Sequence, residues 1–509
     1  MNEQAGFSSR VRDNLREQLS KALPSVDRAG LAQDWQSVYV PQAHLRALSP
    51  RSMVVEGMRG SGKSFWTSVL ASQDMRSNLI NENLDGQFRD EMSAITQTHV
   101  IALDQTSSHA LFPNPPTLNG LLMREGITPE LIWQVALLRL FPIDPQLGMP
   151  LSADKFDPWT PVMKWAQANA GRVARAVDLL DEELSAGGQA SLVVIDALDR
   201  VSGEFHLVTQ MTSGLLRVMV QLRFAKALHL KAFLREDILS RAGPSVVDGS
   251  KILNNKASLE WTQVDLYGLL CHTLLQYSGA GTVRSTFEKM TKTKVQSRNG
   301  VYSSASIREG TSQEMFWITL VGDYMGRTAT KGHSYPYMFN HLADGKGRVA
   351  PRTFLAAAAF AIYNTQESYA DKQHVIHHEA IRDGVRHASD SRRRELEEEY
   401  KWVSPALQAI KDAGKTVPID LKELQQTWGM KNGQVIAAIE KLRGTALLPW
   451  QEQTPPEDKV RLLHETMEQI GVIKIRQRQG VERVELPDIY RLAYRIGRPG
   501  GIATQQKRI

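Results

Sequence analysis

Residues 57–64 read Gly-Met-Arg-Gly-Ser-Gly-Lys-Ser, a set whose types and spacing suit the binding of a phosphate chain. Two glycines five positions apart, then lysine and a hydroxyl residue, let backbone amides turn inward onto phosphate oxygens where a Cβ would obstruct them. Lys63 would reach the β- and γ-phosphates, and the Ser64 hydroxyl would hold Mg²⁺. The expected nucleotide-binding set is Gly57, Met58, Arg59, Gly60, Ser61, Gly62, Lys63, Ser64 and Phe65, with ATP and Mg²⁺ as the ligands. A second stretch, Ser191-Leu-Val-Val-Ile-Asp196, runs through four apolar residues into a carboxylate. A buried strand would deliver Asp196 to its C-terminal end, where open α/β sheets place their ligands. There the carboxylate can hold Mg²⁺ through water.

The elements that must position these groups can be read on either side of them. Ser52–Glu56 predicts a short buried strand ahead of the loop, and Ser64–Ala71 predicts a helix behind it. The helix start would add unpaired N–H groups and a positive dipole end to the phosphate site. Thr98–Asp104 predicts a second strand, and residues 117–186 are expected to be mostly helical, with proline breaks near 113–116 and 142–150. A helix over Leu207–Leu228 leads to a further short strand at Lys231–Leu234, followed by the polar cluster Arg235-Glu-Asp237. Ser258–Trp261 predicts the last core strand. Residues 280–312, rich in Ser, Thr and Gly, read as a loop. The fold class expected is therefore α/β, with a parallel phosphate-loop NTPase core.

The run Val193-Val-Ile-Asp-Ala-Leu-Asp-Arg200 resembles the corresponding region of STAND-type and KAP-type P-loop ATPases, in which two acidic residues stand three apart. In many AAA+ ATPases a glutamate directly follows the metal-binding aspartate and polarises water; this chain has Ala197 there, which argues against fast, motor-like hydrolysis. Asp199 is the nearest substitute for that role, and the competing reading makes it a helix cap or a partner of Arg200. The resemblance also implies that Arg235, ending the strand, faces the γ-phosphate as a sensor. Against this stands an ion pair with Glu236 or Asp237. Arg352, opening a late helix with four consecutive alanines, resembles the second sensor of AAA+ proteins, and the competing reading is a local cap or pair. Asp265 begins a helix that, by the same resemblance, leaves the core for a helical lid.

From Val417 the pattern changes. Leu421, Leu424 and Trp428 share one helix, Gly429–Gly433 makes a turn, and Val435, Ile436, Ile439 and Leu442 share the next. A third helix at Lys459–Ile470 precedes two short strands, Gly471–Arg476 and Val481–Leu486. That order resembles the winged-helix ends of origin-recognition-like and STAND ATPases. The hairpin would carry Lys474, Arg476, Arg478 and Arg483 for phosphate contact with DNA or RNA. Protein contact is the competing use of such a surface.

Composition bounds the rest. The 509 residues carry a net charge of +6, and residues 471–509 hold nine Lys/Arg against three Asp/Glu, so the basic excess lies at the C-terminal end. Cys271 is the one cysteine, which excludes an internal disulfide and a cysteine-based metal site and suits a cytoplasmic setting. The start, Met1-Asn-Glu-Gln-Ala-Gly, has no basic-then-apolar signal pattern. The run Phe354–Tyr363 is too short to span a bilayer, so no membrane partner is expected. The organisation expected is an N-terminal helical segment (1–50), a core (51–262) with a helical insertion at about 105–188, a lid (263–368), linker helices (369–411) and a winged-helix domain (412–509). The family resemblance implies a nucleotide-dependent ATPase switch that forms a homo-oligomer or engages an effector protein. Prokaryotic antiphage defence is compatible with it. The alternatives are a DNA-loading ATPase of the origin or transposition type and a scaffold that merely retains nucleotide.

Overall fold

The structure is a computed structural model that describes residues 7–23, 32, 34–81, 86–103, 111–142, 144–150, 156–202, 205–278, 281–298, 300–429, 433–443, 448–450 and 453–499. The chain forms two compact units, Gly30–Glu260 and Met1–Ala29 with Trp261–Ile509. The first helix, α1 (Ser9–Ala22), therefore belongs with the C-terminal half.

Gly30–Glu260 is built on a five-stranded parallel sheet. Its strands are β1 (Val54–Glu56), β2 (Gln97–Ala102), β3 (Ser191–Asp196), β4 (Leu228–Leu234) and β5 (Ala257–Ser258), in the order β2-β3-β4-β1-β5. Alternation along each strand sends Val54, Val193, Ile195 and Ala232 into one apolar cluster and Val55, Leu192, Val194 and Phe233 into another. Both faces are thus covered, as a parallel sheet requires. The second cluster is closed by α2 (Lys63–Ala71) through Trp66, Val69 and Leu70. The first is closed by α3 (Pro129–Leu138), α4 (Ala170–Ala186) and α5 (Phe205–Gln221). α3 and α5 meet closely: Trp133 Nε1 donates to the Met211 carbonyl at 2.8 Å, and a Cβ on Gly214 would lie 2.6 Å from Pro129 Cβ.

Lys231 on β4 is fully buried and donates its three N–H bonds to the carbonyls of Ala47, Ser49 and Ser52 at 2.7, 2.8 and 2.6 Å. Burial pulls its pKa down to about 7. The three carbonyls offset that cost and fix the segment that enters β1. Lys231→Met keeps the stem but strips these acceptors of their donor. It is expected to destabilise this unit by about 3 kcal/mol, read as a lower denaturation midpoint; a loss under about 1 kcal/mol would mean the carbonyls find other donors.

Three local expectations differ from the structure. The helix expected to reach Leu228 stops at Gln221, and β4 starts at Leu228, because Leu228 and Leu230 are buried beside β3. β2 ends at Ala102; Asp104 lies outside the described residues. The described residues of 280–312, namely 281–298 and 300–312, do not form a loop. They contain a helix (Thr282–Thr291), strands β6 (Gln296–Arg298) and β7 (Val301–Ser303), and a 3-10 turn. Val283 and Phe287, one helical turn apart, are fully buried there, and the Gln276 amide exchanges two hydrogen bonds with the backbone of Tyr302.

In the second unit, α6 (Pro351–Ser368) carries the alanines and packs along α7 (His378–Glu399). Arg16 of α1 is buried and its guanidinium donates to the carbonyls of Ala370, Lys372, His374 and Val375, which ties α1 to the bend between those helices. Further along come β8 (Ile419–Asp420), α8 (Leu421–Gly429), α9 (Gln434–Glu440), α10 (Pro456–Gln469), the antiparallel pair β9 (Lys474–Arg478) and β10 (Val481–Glu485), and α11 (Asp488–Tyr494). The three strands form one sheet, ordered β8-β10-β9. The turn expected between α8 and α9 lies partly outside the described residues, at 430–432.

This C-terminal part is locked to residues 337–348. Gly345 N donates to Gly471 O at 2.7 Å, and a Cβ on Gly345 would lie 2.4 Å from Ile473 O. Asp488 accepts from His341 Nδ1 at 2.6 Å and from Arg491 Nε at 2.7 Å. Burial would raise the Asp488 pKa, but these hydrogen bonds hold it at about 2. Among the described residues no helix is long and apolar enough to cross a membrane.

Candidate functional site

The loop 57–62 leaves β1 at its C-terminal end. Gly57 N donates to Leu234 O at 3.0 Å, so the loop starts beside the end of β4. A Cβ on Gly57 would fall 2.4 Å from Ser61 Oγ, and Gly60 and Gly62 have φ of 78° and 101°. These are the close approach and left-handed turns for which glycine suits. Gly62 caps α2, so the first amides of a nine-residue helix face the loop. Lys63 Nζ folds back onto the carbonyls of Gly57 and Met58 at 3.0 and 2.9 Å. Ser64 and Phe65 occupy the next positions of that first turn. The helix is anchored from below: Trp66 Nε1 donates to His44 Nδ1 at 3.2 Å, and His44 Nε2 bonds Glu260 O at 2.9 Å.

Strand register brings the other groups to the same edge. Asp196 is the last residue of β3, two places beyond the Val194–Lys231 pair, and is almost fully buried. Arg235 directly follows Leu234 of β4, which is paired with Glu56 of β1. The sheet order places β4 between β1 and β3, so the loop, Arg235 and Asp196 lie side by side along one edge. After Asp196 the chain turns through Ala197, whose φ of 58° is left-handed. That conformation costs a non-glycine residue about 1 kcal/mol. It starts the short 3-10 turn Leu198–Arg200, which carries Asp199 back toward Arg235. Arg235 Nη1 stands 3.5 Å from Asp199 Oδ2, while Nε and Nη2 bond the two oxygens of Asp237 at 3.0 and 2.8 Å. Asp199 thus meets Arg235, a group expected at the phosphate end.

This is an α/β fold of the phosphate-loop NTPase kind. The described residues suit a nucleotide's phosphate chain: a Cβ at Gly57 would collide with Ser61 Oγ and a lysine lines the loop, while the Ser64 hydroxyl and the buried Asp196 carboxylate are the groups that would hold Mg²⁺. No family model matches the chain, and no curated protein matches it. Two solved structures with some likeness are both of the Aeropyrum pernix ORC2 protein. The first, in its ADPNP–ADP complexes, is 12% identical with a TM-score of 0.37, over 90% of this chain and 92% of that chain. The second, the ADP form, is 12% identical with a TM-score of 0.31, over 90% and 94%. At TM-scores this low the likeness adds nothing to the sheet order and loop geometry above.

The remaining expected residues lie in the second unit. Arg352 stands on the first turn of α6, half-exposed, with Nη1 3.5 Å from Glu395 of α7. The register of the hairpin pairs Lys474 with Glu485, Arg476 with Arg483 and Arg478 with Val481. Side chains alternate along each strand, so Lys474, Arg476, Arg478 and Arg483 share one face, opposite the face of buried Val484. Gln479 and Gly480 both have positive φ, which closes the hairpin by a two-residue turn. Arg476 is 3.1 Å from Glu485, and Arg483 stands opposite Asp420 in the strand register, so the face is basic but not purely so. The ion pair expected as the alternative for Arg235 is present, with Asp237 as its partner. The Arg-x-Asp spacing directly after a strand was its only signal.

Proposed function

We propose that this chain is an ATP-binding, slowly hydrolysing P-loop ATPase of the STAND/AAA+ kind that acts as a nucleotide-dependent switch. The observation that carries this reading is the convergence of loop 57–64, Asp196 and Arg235 on one edge of a parallel sheet. Lys63 and the loop amides bind the phosphates, and Ser64 and Asp196 would hold Mg²⁺, which when bound would neutralise charge developing on the phosphates. Arg235 reports the terminal phosphate. Ala197 in place of a glutamate supports slow turnover, since no carboxylate directly follows Asp196. Arg352 serves as the lid's sensor, and the basic hairpin binds DNA or RNA through its phosphates. Of the settings the resemblance implies, antiphage signalling and origin- or transposition-type DNA loading need this same pair of parts.

Steady-state ATPase assays across Mg²⁺ concentrations test the metal assignment. Asp196→Asn is expected to cut turnover about a hundredfold, because metal charge stabilisation is worth several kcal/mol. Asp199→Asn should cost less than about tenfold, as it stands three residues past the strand. An equal loss at Asp199 would make it a second catalytic residue, and a larger one would overturn the assignment of the two roles.

A further inference from the structure

We propose that Asp237 is a positioning residue that aims the Arg235 guanidinium, and that Asp199 is a resting partner of Arg235 which a terminal phosphate displaces; this rests on the ATPase reading above. The two aspartates hold the arginine in different ways. Asp237 takes Nε and Nη2 side-on at 3.0 and 2.8 Å, the bidentate geometry that fixes both the position and the plane of a guanidinium. Asp199 meets Nη1 at 3.5 Å, well beyond the 2.7–2.9 Å usual for a charge-assisted bond. Exposure follows the same order: the side chains of Arg235 and Asp237 are 8% and 14% exposed, and that of Asp199 is 30%. Asp237 is therefore the anchor. Asp199 is the looser partner and the one water can most readily take over.

A γ-phosphate offers Nη1 more charge than the single Asp199 carboxylate does, and the guanidinium's planar fork suits a phosphate's oxygens. ADP lacks that group and leaves the Arg235–Asp199 contact in place. The exchange makes selectivity for triphosphate over diphosphate depend on two acidic residues that touch no nucleotide in the resting arrangement. It also gives the left-handed turn at Ala197 a purpose, because that turn sets the reach of Asp199.

Binding of Mg²⁺–ADP and of a Mg²⁺-bound non-hydrolysable ATP analogue to the full chain, measured by calorimetry, tests this. Asp237→Asn should weaken the analogue about tenfold and leave ADP within about twofold, since one charge-assisted pair is lost at the terminal phosphate only. Asp199→Asn should tighten the analogue by about threefold or more, again sparing ADP, because it removes a competitor. A merely structural role would move both nucleotides together. Equal losses for both in a folded Asp237→Asn, or unchanged or weakened analogue binding in Asp199→Asn, would overturn the proposal. Should Asp237→Asn fail to fold, the Asp199 variant, at a more exposed position, decides alone. If the intact protein binds neither nucleotide, the ATPase reading itself has failed, which is a different result from intact binding without selectivity changes.

Discussion

Lys63→Ala is expected to abolish ATP binding at micromolar protein concentrations while leaving the thermal melt of the apo protein unchanged. Nζ bonds the carbonyls of Gly57 and Met58, both at the lip of its own loop. It lies on the first turn of α2, outside the apolar cluster that Trp66, Val69 and Leu70 build below. Removing it thus costs the fold little. Removing it from a bound triphosphate takes away a cation serving two phosphates, about 3 kcal/mol or roughly a hundredfold in affinity. Unchanged affinity in a well-folded variant would sink the phosphate-loop assignment, and with it the roles given to Ser64 and Asp196.

Neutralising Lys474, Arg476, Arg478 and Arg483 together should nearly remove the salt dependence of nucleic-acid binding and leave ATP binding intact. All four lie on the solvent face of one hairpin. Each phosphate contact contributes about 0.9 to the slope of log affinity against log salt on duplex DNA, so four set an upper bound of about 3.6. Over a fourfold rise in salt the intact protein should then lose about a hundredfold more affinity than the variant. The Arg476–Glu485 pair at 3.1 Å lowers that bound, because a cation already paired releases fewer counterions. A loss shared by all sequences would mean backbone contact, whereas a loss on one sequence would mean base reading. With no salt-dependent binding to any DNA or RNA, the face would be a protein-contact surface.

The phosphate loop could be read from the sequence because its chemistry is local: eight consecutive residues contain the turn, the cation and the hydroxyl. Asp196 was legible for the same reason, as the end of an apolar run. The alternation that puts four basic side chains on one face was implicit in the strand prediction, but needed the observed register to be fixed. What could not be read depends on partners remote in sequence. The sequence places Lys231 at the start of a strand, but nothing local shows that it is buried there on the three carbonyls of residues 47–52. The helix at Thr282–Thr291 was hidden because Val283 and Phe287 are its main apolar anchors in a polar stretch. The sequence offers Asp237 as a partner of Arg235, but only the side-on geometry shows that this pair orients the arginine without consuming it.

The seam between residues 337–348 and the C-terminal sheet bears on how such a chain can be inherited. Asp344 is nearly buried, its carboxylate accepts from Lys346 N and from Arg348, and a Cβ on Gly471 would lie 2.8 Å from its Oδ2. His341 likewise requires an acid at position 488. A gene fusion that joined a foreign ending near residue 411 would separate each of these pairs. The newcomer would have to arrive with its own small residue facing Asp344 and its own acid facing His341. The natural cassette for exchange therefore begins upstream of residue 337, and descendants of this chain should vary these positions together or not at all.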